Sequence, residues 1–423
     1  MEMKFLNRER EFELFQKAQT HGGLYVIYGR RRIGKSRFLR EFSARSNMTY
    51  YQAIRTTVKE QIQDLWETID PKSEMDVSNW KSFFELLSGK IENNQISGLI
   101  IDEFPFLVES DPQLPSLLQR WCDQFLEKSK FLLICSGSSQ RMMHTTFLNG
   151  SEPLYGRAKN FLKMPYLDYV VYLKFLREPH TRQTFESFSL MGGVPRYWLL
   201  SKKIKDPVEL ADLLYFSDSS FLQDESVRLL FDEGLNGQQP SFILDLIGRG
   251  CSKPSEIAAR LWQTQGSLNK PLKQLIDAGF IKKDIPFGEN SDTNKKVFLS
   301  ISDPCLKFWY SVFSPLRNKW NILSAKEKKD FIHLHASHIW EDYIRVKKGG
   351  QRFWTKDFEI DFIALVDKKK CLVGEIKFTE LSSSERLSLL KRLKEKWALS
   401  ALEQKKNIIP HFKIFDITNF SQI

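Results

Sequence analysis

Gly29-Arg30-Arg31-Arg32-Ile33-Gly34-Lys35-Ser36 matches the phosphate-binding pattern G-x-x-x-x-G-K-[ST] in full. The apolar run at residues 24–28 precedes it and predicts a buried strand, and residues 36–42 after it predict a helix. In this setting the two glycines let backbone N–H groups turn towards phosphate oxygens, and the helix start adds a partial positive charge. The stretch therefore predicts a strand, loop and helix that bind the phosphates of a nucleotide.

The predicted cofactor-binding segment is the loop with the first helical residues: Gly29, Arg30, Arg31, Arg32, Ile33, Gly34, Lys35, Ser36 and Arg37. Lys35 would reach the β- and γ-phosphates of the nucleotide, and the Ser36 hydroxyl would bind Mg²⁺. Because the backbone of such a loop holds the phosphates, we expect the three arginine side chains to be a solvated basic surface. Contact with nucleic acid or with a facing domain is the alternative.

A second apolar strand at residues 98–101 ends in Asp102 and Glu103. Asp102 is predicted to hold Mg²⁺ together with Ser36, and Glu103 to orient and polarise the attacking water. A solvated strand end is the alternative, but the complete phosphate loop favours the functional interpretation.

Two further segments allow two interpretations each. The strand at residues 131–135 runs into Ser136-Gly137-Ser138-Ser139, where a hydroxyl could sense the γ-phosphate or the residues could form a simple turn. Arg157 could neutralise transition-state charge as an arginine finger, in its own chain or in a neighbouring one, or it could be a surface arginine. Strands alternate with helices up to about residue 165, which predicts an α/β fold with a parallel sheet.

Composition sets the broad class of the protein. The chain has 423 residues, 42% hydrophobic and 27% charged, as expected of an ordinary soluble protein of several domains. We expect no membrane span and no secretion signal, and the five widely spaced cysteines suggest neither a disulfide framework nor a zinc site, so the cytoplasm is the expected location. The net charge of +11 favours an anionic partner. Nucleic acid is the first candidate, and DNA is the expected form.

Six short segments together resemble one family, the archaeal-type P-loop ATPases, which are related to the AAA+ and STAND ATPases. They are Phe5-Leu6-Asn7-Arg8-Glu9, the phosphate loop, Ile101-Asp102-Glu103-Phe104, Gly137-Ser138-Ser139, Pro153-Leu154-Tyr155-Gly156-Arg157 and Gly192-Gly193-Val194-Pro195. The resemblance covers nearly the whole chain. It implies that the segment Asn7-Arg8-Glu9 packs near the adenine, that Ser138 is a sensor-like residue, and that Pro195 lies in a helical lid over the base.

The middle of the chain predicts a helical lid and then a winged helix. Aromatic residues at helical spacing between 166 and 236 indicate core packing. Residues 241–301 read as helix, turn, two helices and a hairpin with strands near 280–284 and 297–301. The polar side chains predicted on or beside the third helix and the wing are Thr264, Gln265, Ser267, Asn269, Lys270, Lys273, Lys295 and Lys296. They could contact DNA, or the module could contact protein.

A second active site is predicted near the C-terminus. Glu341 lies in a predicted helix, Asp361 in a strand, and Glu375 and Lys377 on one face of the next strand. Asp361 and Glu375 could share a divalent cation while Lys377 activates water and Glu341 adds a carboxylate, as metal-assisted phosphodiester hydrolysis requires. The constellation resembles the PD-(D/E)xK restriction-endonuclease-like superfamily. An amphipathic hairpin with exposed charges is the alternative.

Two features near the C-terminus are not interpreted as sites. His333, His335 and His338 lie on a predicted helix in poor geometry for a shared metal. The basic stretch at 391–406 contains Leu393 and Trp397, which predict an amphipathic helix packed on the nuclease-like domain.

The predicted fold class is thus α/β, with a P-loop core (1–165), a helical lid (166–236), a winged helix (237–305) and a small nuclease-like α/β domain (306–423). The leading hypothesis is an Mg-ATP-dependent ATPase switch that regulates a C-terminal domain acting on DNA, with ATP-dependent homo-oligomerisation as a further expectation. One alternative is a nucleotide-gated assembly scaffold with slow hydrolysis and no nuclease activity. The other is a nuclease proper, with a merely regulatory P-loop domain.

Overall fold

The structure is a computed structural model and describes residues 7–201, 204–289 and 297–422. Phe5, Leu6, Lys295 and Lys296, all named above, lie outside those ranges. The chain divides into two units, one formed by the residues up to Val171 together with Gly193–Leu200, the other by Tyr172–Gly192 and the residues from Ser201 onwards. The finer division into four domains stays a prediction.

In the first unit strands and helices alternate along the chain. In order, they are α1 (Glu9–His21), β1 (Gly23–Tyr28), α2 (Lys35–Ser46), β2 (Thr49–Gln52), α3 (Val58–Ile69), α4 (Trp80–Glu92), β3 (Gly98–Asp102), α5 (Pro105–Ser110), α6 (Leu114–Gln124), β4 (Leu132–Gly137), α7 (Gln140–Leu148) and β5 (Ala158–Lys163).

The five strands form one sheet in the order β2-β3-β4-β1-β5, and all neighbours are parallel. The prediction of an α/β fold with a parallel sheet is therefore confirmed. All five residues of β3 are buried, as expected for a central strand covered by helices on both faces. Because parallel strands end at one edge, the phosphate loop after β1, Asp102 at the end of β3 and Ser138 after β4 are placed at the same edge.

Mostly helices follow as far as residue 277. They are α8 (Tyr169–Leu176), α9 (Arg182–Met191), α10 (Pro195–Ser201), α11 (Pro207–Ala211), α12 (Glu225–Asp232), α13 (Gln238–Gly248), α14 (Pro254–Arg260) and α15 (Asn269–Asp277). Tyr169 and Tyr172 of α8 are fully or almost fully buried, so these aromatics pack in a core, as their helical spacing predicted.

The second unit continues with a hairpin, a long helix and a four-stranded sheet. Its elements are β6 (Ile281–Asp284), β7 (Phe298–Ile301), α16 (Pro304–Phe308), α17 (Ser314–Leu316), α18 (Ala325–Lys348), β8 (Gln351–Trp354), β9 (Glu359–Leu365), β10 (Lys370–Ile376), α19 (Ser383–Ser400), α20 (Leu402–Lys406) and β11 (Ile409–Phe415). The sheet order is β11-β10-β9-β8; β10 and β11 are parallel, and the other neighbouring pairs are antiparallel.

Helix α19 covers this sheet with its apolar face. Leu393 and Trp397 are buried in one cluster with Ile360, Val373 and Ile414. The basic side chains of α19 thus surround an ordinary packing face, in agreement with the amphipathic helix predicted there. No helix in the described ranges is both long enough and apolar enough to cross a membrane.

Candidate functional site

The phosphate loop adopts a backbone that requires glycine at two places. Gly34 has φ +95° directly before α2, and Gly29 has φ +150° at the end of β1. A Cβ atom on Gly29 would lie 2.8 Å from Ile33 Cδ1. Gly34 has open space around it, so its conformation alone demands glycine there. The loop therefore has the turned backbone that the sequence pattern predicted.

Lys35 is buried and held by the loop itself. Its ammonium donates to the carbonyl oxygens of Gly29 at 2.6 Å and Arg30 at 3.0 Å. The prediction of a solvated arginine surface is wrong for Arg30, whose side chain is buried, whereas Arg31 is exposed and Arg32 half-buried.

Arg8 links this loop to the segment that follows β5, the strand next to β1. Its guanidinium donates to the carbonyl oxygens of Ile33 at 3.1 Å and Pro165 at 3.0 Å, and it pairs with Glu11 at 3.3 Å. Burial lowers the pKa of Arg8, although Glu11 opposes that shift. Asn7 is exposed, with a left-handed backbone. Arg8 thus fixes the phosphate loop relative to the segment that follows β5.

That segment also contacts the start of α10. The backbone N–H of Leu167 donates to the carbonyl of Gly193 at 3.0 Å, two residues before Pro195. Pro195 is buried at the first position of the helix, where its fixed φ is favourable. The part of the chain predicted to cover the adenine is thereby attached to the segment that Arg8 holds.

Asp102 is completely buried, with both oxygens of its carboxylate oriented by hydrogen bonds. Tyr50 donates its hydroxyl to Oδ2 at 2.8 Å, and the backbone N–H of Glu103 donates to Oδ1 at 3.1 Å. Burial and the charge of Asp102 raise the pKa of Tyr50, so its hydroxyl stays protonated. Tyr50, on the neighbouring strand β2, was not predicted as a site residue, and no short motif contains it.

Glu103 is held in a fixed orientation by the end of the next strand. Ser138 donates its backbone N–H at 3.1 Å and its hydroxyl at 2.9 Å, both to Oε2 of Glu103. Glu103 also has φ +56°, an unusual backbone for a residue other than glycine. Of the two interpretations of residues 136–139, this geometry fits a functional hydroxyl at Ser138 better than a simple turn.

The residues at this edge fit the requirements of Mg²⁺. Asp102 offers carboxylate oxygens and Ser36 a half-buried hydroxyl, which are the oxygen donors that this cation prefers. Helix α2, which carries Ser36 in its first turn, packs against β3, which ends in Asp102. Ser36 and Asp102 are therefore the residues of the first unit that would hold the cation.

Arg157 lies at the opposite edge of the sheet. Strand β5 begins directly after it, and Ala158 pairs with Leu24 near the start of β1. Along β1, four residues, or about 13 Å, separate Leu24 from Tyr28, which lies beside the phosphate loop. The guanidinium binds both oxygens of Asp123 at 3.1 and 3.2 Å. An arginine-finger role within its own chain is therefore wrong, and a role in a neighbouring chain stays a prediction.

In the second unit, three of the four predicted C-terminal site residues converge. Lys377 Nζ lies 2.8 Å from Glu375 Oε1 and 3.8 Å from Asp361 Oδ2, and the N–H of Ile376 donates to the same Asp361 oxygen at 2.9 Å. Burial and then the charge of Glu375 raise the pKa of Asp361. Lys396 of α19 approaches the other oxygen of Glu375 at 3.2 Å, a contact that no motif indicated.

Glu341 is part of a neighbouring network of charges. Arg345 lies 3.6 Å from Glu341 Oε2 and 2.8 Å from Asp342 Oδ1, and it donates to the carbonyl of Asp361 at 3.2 Å. Burial raises the pKa of Glu341 to about 7, with Asp361 adding to the effect. Burial alone would raise the pKa of Asp342, but Lys282 and its other cationic neighbours lower it far below its usual range.

A metal ion does not fit this second site as its side chains stand. In the described parts of the chain, no group of three or more histidine, cysteine, aspartate or glutamate residues is arranged to hold one. The prediction that Glu341 joins Asp361 and Glu375 around a cation is therefore not met, since lysines occupy both oxygens of Glu375. The histidines His333 and His335 contact different partners, Glu186 and the carbonyl of Ser189.

The polar residues predicted for nucleic-acid contact are exposed. Thr264, Gln265, Ser267, Asn269, Lys270 and Lys273 all lie at the surface of the second unit. The hairpin behind them is attached to the C-terminal sheet, because Phe287 N donates to the carbonyl of Arg352 at 2.7 Å and Phe298 stacks on Trp354. The described ends of this hairpin therefore pack on protein.

Comparison with known proteins shows two family matches. Residues 5–199 match a family model described as an ATPase domain predominantly from Archaea. Residues 319–389 match a second model, described as archaeal and bacterial proteins of unknown function. The chain is also 29% identical over 419 residues to an uncharacterized protein of Methanocaldococcus jannaschii, covering 94% of this chain and 93% of that one.

Among solved structures, the chain is similar to a Walker-type ATPase of Pyrococcus abyssi. The two share 19% sequence identity with a TM-score of 0.55, over 73% of this chain and 96% of the other. At this identity the likeness concerns the fold, and it agrees with the parallel sheet and phosphate loop described above.

Proposed function

We propose that this ATPase, whose residues 5–199 match the model of an ATPase domain predominantly from Archaea, is an Mg-ATP-driven switch that controls DNA binding by its second unit. Hydrolysis of ATP would change the affinity for DNA. The contact that carries the proposal is the pair of hydrogen bonds that Ser138 makes to Glu103, because it orients a carboxylate for water activation at the nucleotide edge.

Each residue at the nucleotide edge has a definite task in this proposal. When bound, Mg²⁺ would be held by Ser36 and Asp102 and would neutralise negative charge that develops on the phosphates. Glu103 accepts a proton from the attacking water, and Lys35 exchanges the carbonyls of its own loop for phosphate oxygens. Tyr50 and the N–H of Glu103 keep both oxygens of Asp102 oriented throughout.

The second unit supplies the features that favour DNA as partner. Its surface around α15 exposes amide, hydroxyl and ammonium groups, which commonly contact phosphates and base edges. The net charge of +11 is consistent with a polyanionic partner. The helices and hairpin between residues 238 and 301 are consistent with a winged helix, and the sheet from β8 to β11 with a nuclease-like domain.

One observation favours the second candidate function, a nucleotide-gated scaffold without nuclease activity. Both oxygens of Glu375 are occupied by Lys377 and Lys396, a closed ion-pair arrangement that suits a binding surface better than a metal centre. Arg157, on the surface of the first unit, would then contact the nucleotide of a neighbouring copy in an ATP-dependent homo-oligomer.

Three measurements on the purified protein test the proposal: ATP turnover with and without DNA, DNA affinity with and without ATP, and molecular mass with and without ATP. A switch requires DNA to raise turnover and ATP to change DNA affinity. If neither changes while ATP raises the mass, the protein is a scaffold.

A separate assay tests DNA cleavage with Mg²⁺ or Mn²⁺ in the wild type, in Asp361→Ala and in the exposed control Asp357→Ala. Loss of cleavage in Asp361→Ala alone would add nuclease activity to the function.

A further inference from the structure

Trp262 is presented to solvent almost completely, with 95% of its surface exposed. All ten tryptophans lie within the described ranges; eight of the other nine are buried, and Trp309 is half-buried. Leaving an indole in water forfeits the burial of a large apolar surface, which elsewhere stabilises a fold. The side chain therefore contributes little to the core, and its exposed ring is available to contact a binding partner.

The backbone around Trp262 is fixed. The residue has φ +54°, and its N–H donates to the carbonyl of Ala259 at 3.2 Å. Gln263 donates its N–H to the carbonyl of Ala258 at 3.0 Å, and its side-chain oxygen accepts from Gln239 at 2.8 Å. An aromatic residue in the left-handed region costs conformational energy that surrounding contacts must offset. These hydrogen bonds define the turn that carries the exposed indole.

The sequence segment that carries the indole is basic and polar. Between Arg260 and Ile276 the chain contains three basic residues and no acidic one. Lys270 and Lys273 are exposed on α15, which begins seven residues after Trp262, and Lys273 lies 3.9 Å from Asp277 of the same helix. A segment that carries an exposed apolar ring together with cations and amides is complementary to a nucleic acid, which combines phosphates with flat aromatic bases.

We infer that Trp262 stacks on an unpaired base of a nucleic acid whose backbone lies along Lys270 and Lys273. This inference rests on the proposed function, that the second unit binds DNA. In a fully paired duplex only the base edges are accessible in the grooves, so an indole finds a ring face only at a tail, a bulge, a junction or an opened step. The ligand is therefore DNA with locally unpaired bases, in preference to blunt duplex.

The test compares the affinity of the full chain for a blunt duplex and for the same duplex with a single-stranded tail. Trp262→Ala should weaken binding of the tailed DNA by about 5- to 150-fold, the range expected for loss of one stacked base, and leave the blunt duplex unchanged. The matched control is Phe231→Ala, which removes another exposed aromatic ring, on α12, and should change neither affinity. Lys270→Gln should weaken both DNAs equally and reduce the salt dependence of binding.

Fluorescence gives a second readout that does not depend on affinity. Acrylamide should quench a component of the tryptophan fluorescence that is absent from Trp262→Phe. In the wild type, tailed DNA should protect that component from quenching. If the wild type binds DNA but Trp262→Ala keeps the same tail preference, the stacking inference is overturned while DNA binding stands. If the wild type binds no DNA, the proposed function fails. Protection that instead rises with protein concentration alone would assign the indole to a contact between copies and overturn the inference.

Discussion

Ser138 makes two hydrogen bonds to a single oxygen of Glu103, through its backbone N–H at 3.1 Å and its hydroxyl at 2.9 Å. The two residues are 35 positions apart, and each follows a buried strand of the parallel sheet. Hydrogen bonds to a charged carboxylate are stronger than those between neutral groups. Glu103 is thus oriented by the adjacent strand end, in spite of its left-handed backbone.

Ser138→Ala removes the hydroxyl half of this contact and keeps the backbone half. We expect kcat for ATP hydrolysis to fall about tenfold, the effect of losing one hydrogen bond to a charged group, with little change in KM. Steady-state kinetics measure both. Ser139→Ala is the control, because Ser139 caps α7 through Met142 N and should lower stability by about 1 kcal/mol without lowering kcat. A larger fall in kcat for Ser139→Ala would refute the role given to Ser138.

Tyr50→Phe removes the hydroxyl that orients Asp102. The carboxylate then loses one of its two hydrogen bonds, so we expect the Mg²⁺ concentration for half-maximal ATPase activity to rise several-fold. A Mg²⁺ titration at saturating ATP measures this. The control is Tyr51→Phe on the same strand, since that hydroxyl donates to the carbonyl of Gln61. An unchanged Mg²⁺ requirement in Tyr50→Phe would contradict the assignment.

Arg8→Lys tests the attachment of the phosphate loop to the segment after β5. Guanidinium nitrogens reach two carbonyl oxygens and Glu11 at once, whereas a single ammonium cannot reproduce that fork. We expect the variant to be less stable by about 1 to 3 kcal/mol and to bind ATP more weakly. Urea unfolding and ATP titration measure the two effects. Arg10→Lys, at an exposed position of α1, should behave as wild type. If Arg8→Lys binds ATP as tightly as the wild type, Arg8 has no role at the nucleotide site.

The buried His335 makes stability depend on pH. Burial lowers the pKa of His335 to about 3 from 6.5, so the folded state favours the neutral ring, which donates through Nε2 to the carbonyl of Ser189. Its contribution is complete above pH 6.5 and is lost as pH falls from there towards 3, at about 1.4 kcal/mol per pH unit.

The free energy of unfolding in urea is measured at pH 7, 6 and 5 for the wild type and for His335→Gln, whose side chain does not titrate. The wild type should lose stability more steeply as pH falls, and His144→Gln, at an exposed site, should retain that steepness. Parallel pH profiles for wild type and His335→Gln would show that His335 is not buried in its neutral form.

At the nucleotide edge, the sequence predicted those site residues that lie in or directly after continuous sequence motifs. Residues 29–36 fix a loop, and strands at 98–102 and 132–137 place Asp102, Glu103 and Ser138 by the parallel-sheet rule alone. Tyr50 and Lys396 were not predictable, because each acts through a side chain from a separate element whose distance to the site depends on packing. The position of Arg157 follows from the same parallel-sheet rule: it directly precedes β5, so it lies at the edge opposite its own nucleotide.

The central claim is that Glu103 activates water for ATP hydrolysis, and ATP turnover by Glu103→Gln tests it most directly. Glutamine keeps the size of the side chain but cannot accept the proton, so turnover should fall at least about 100-fold while ATP binding is kept. Glu109→Gln, a surface glutamate paired with Arg55, should retain full turnover. Hydrolysis by Glu103→Gln at the wild-type rate, with ATP bound equally well, would contradict the account.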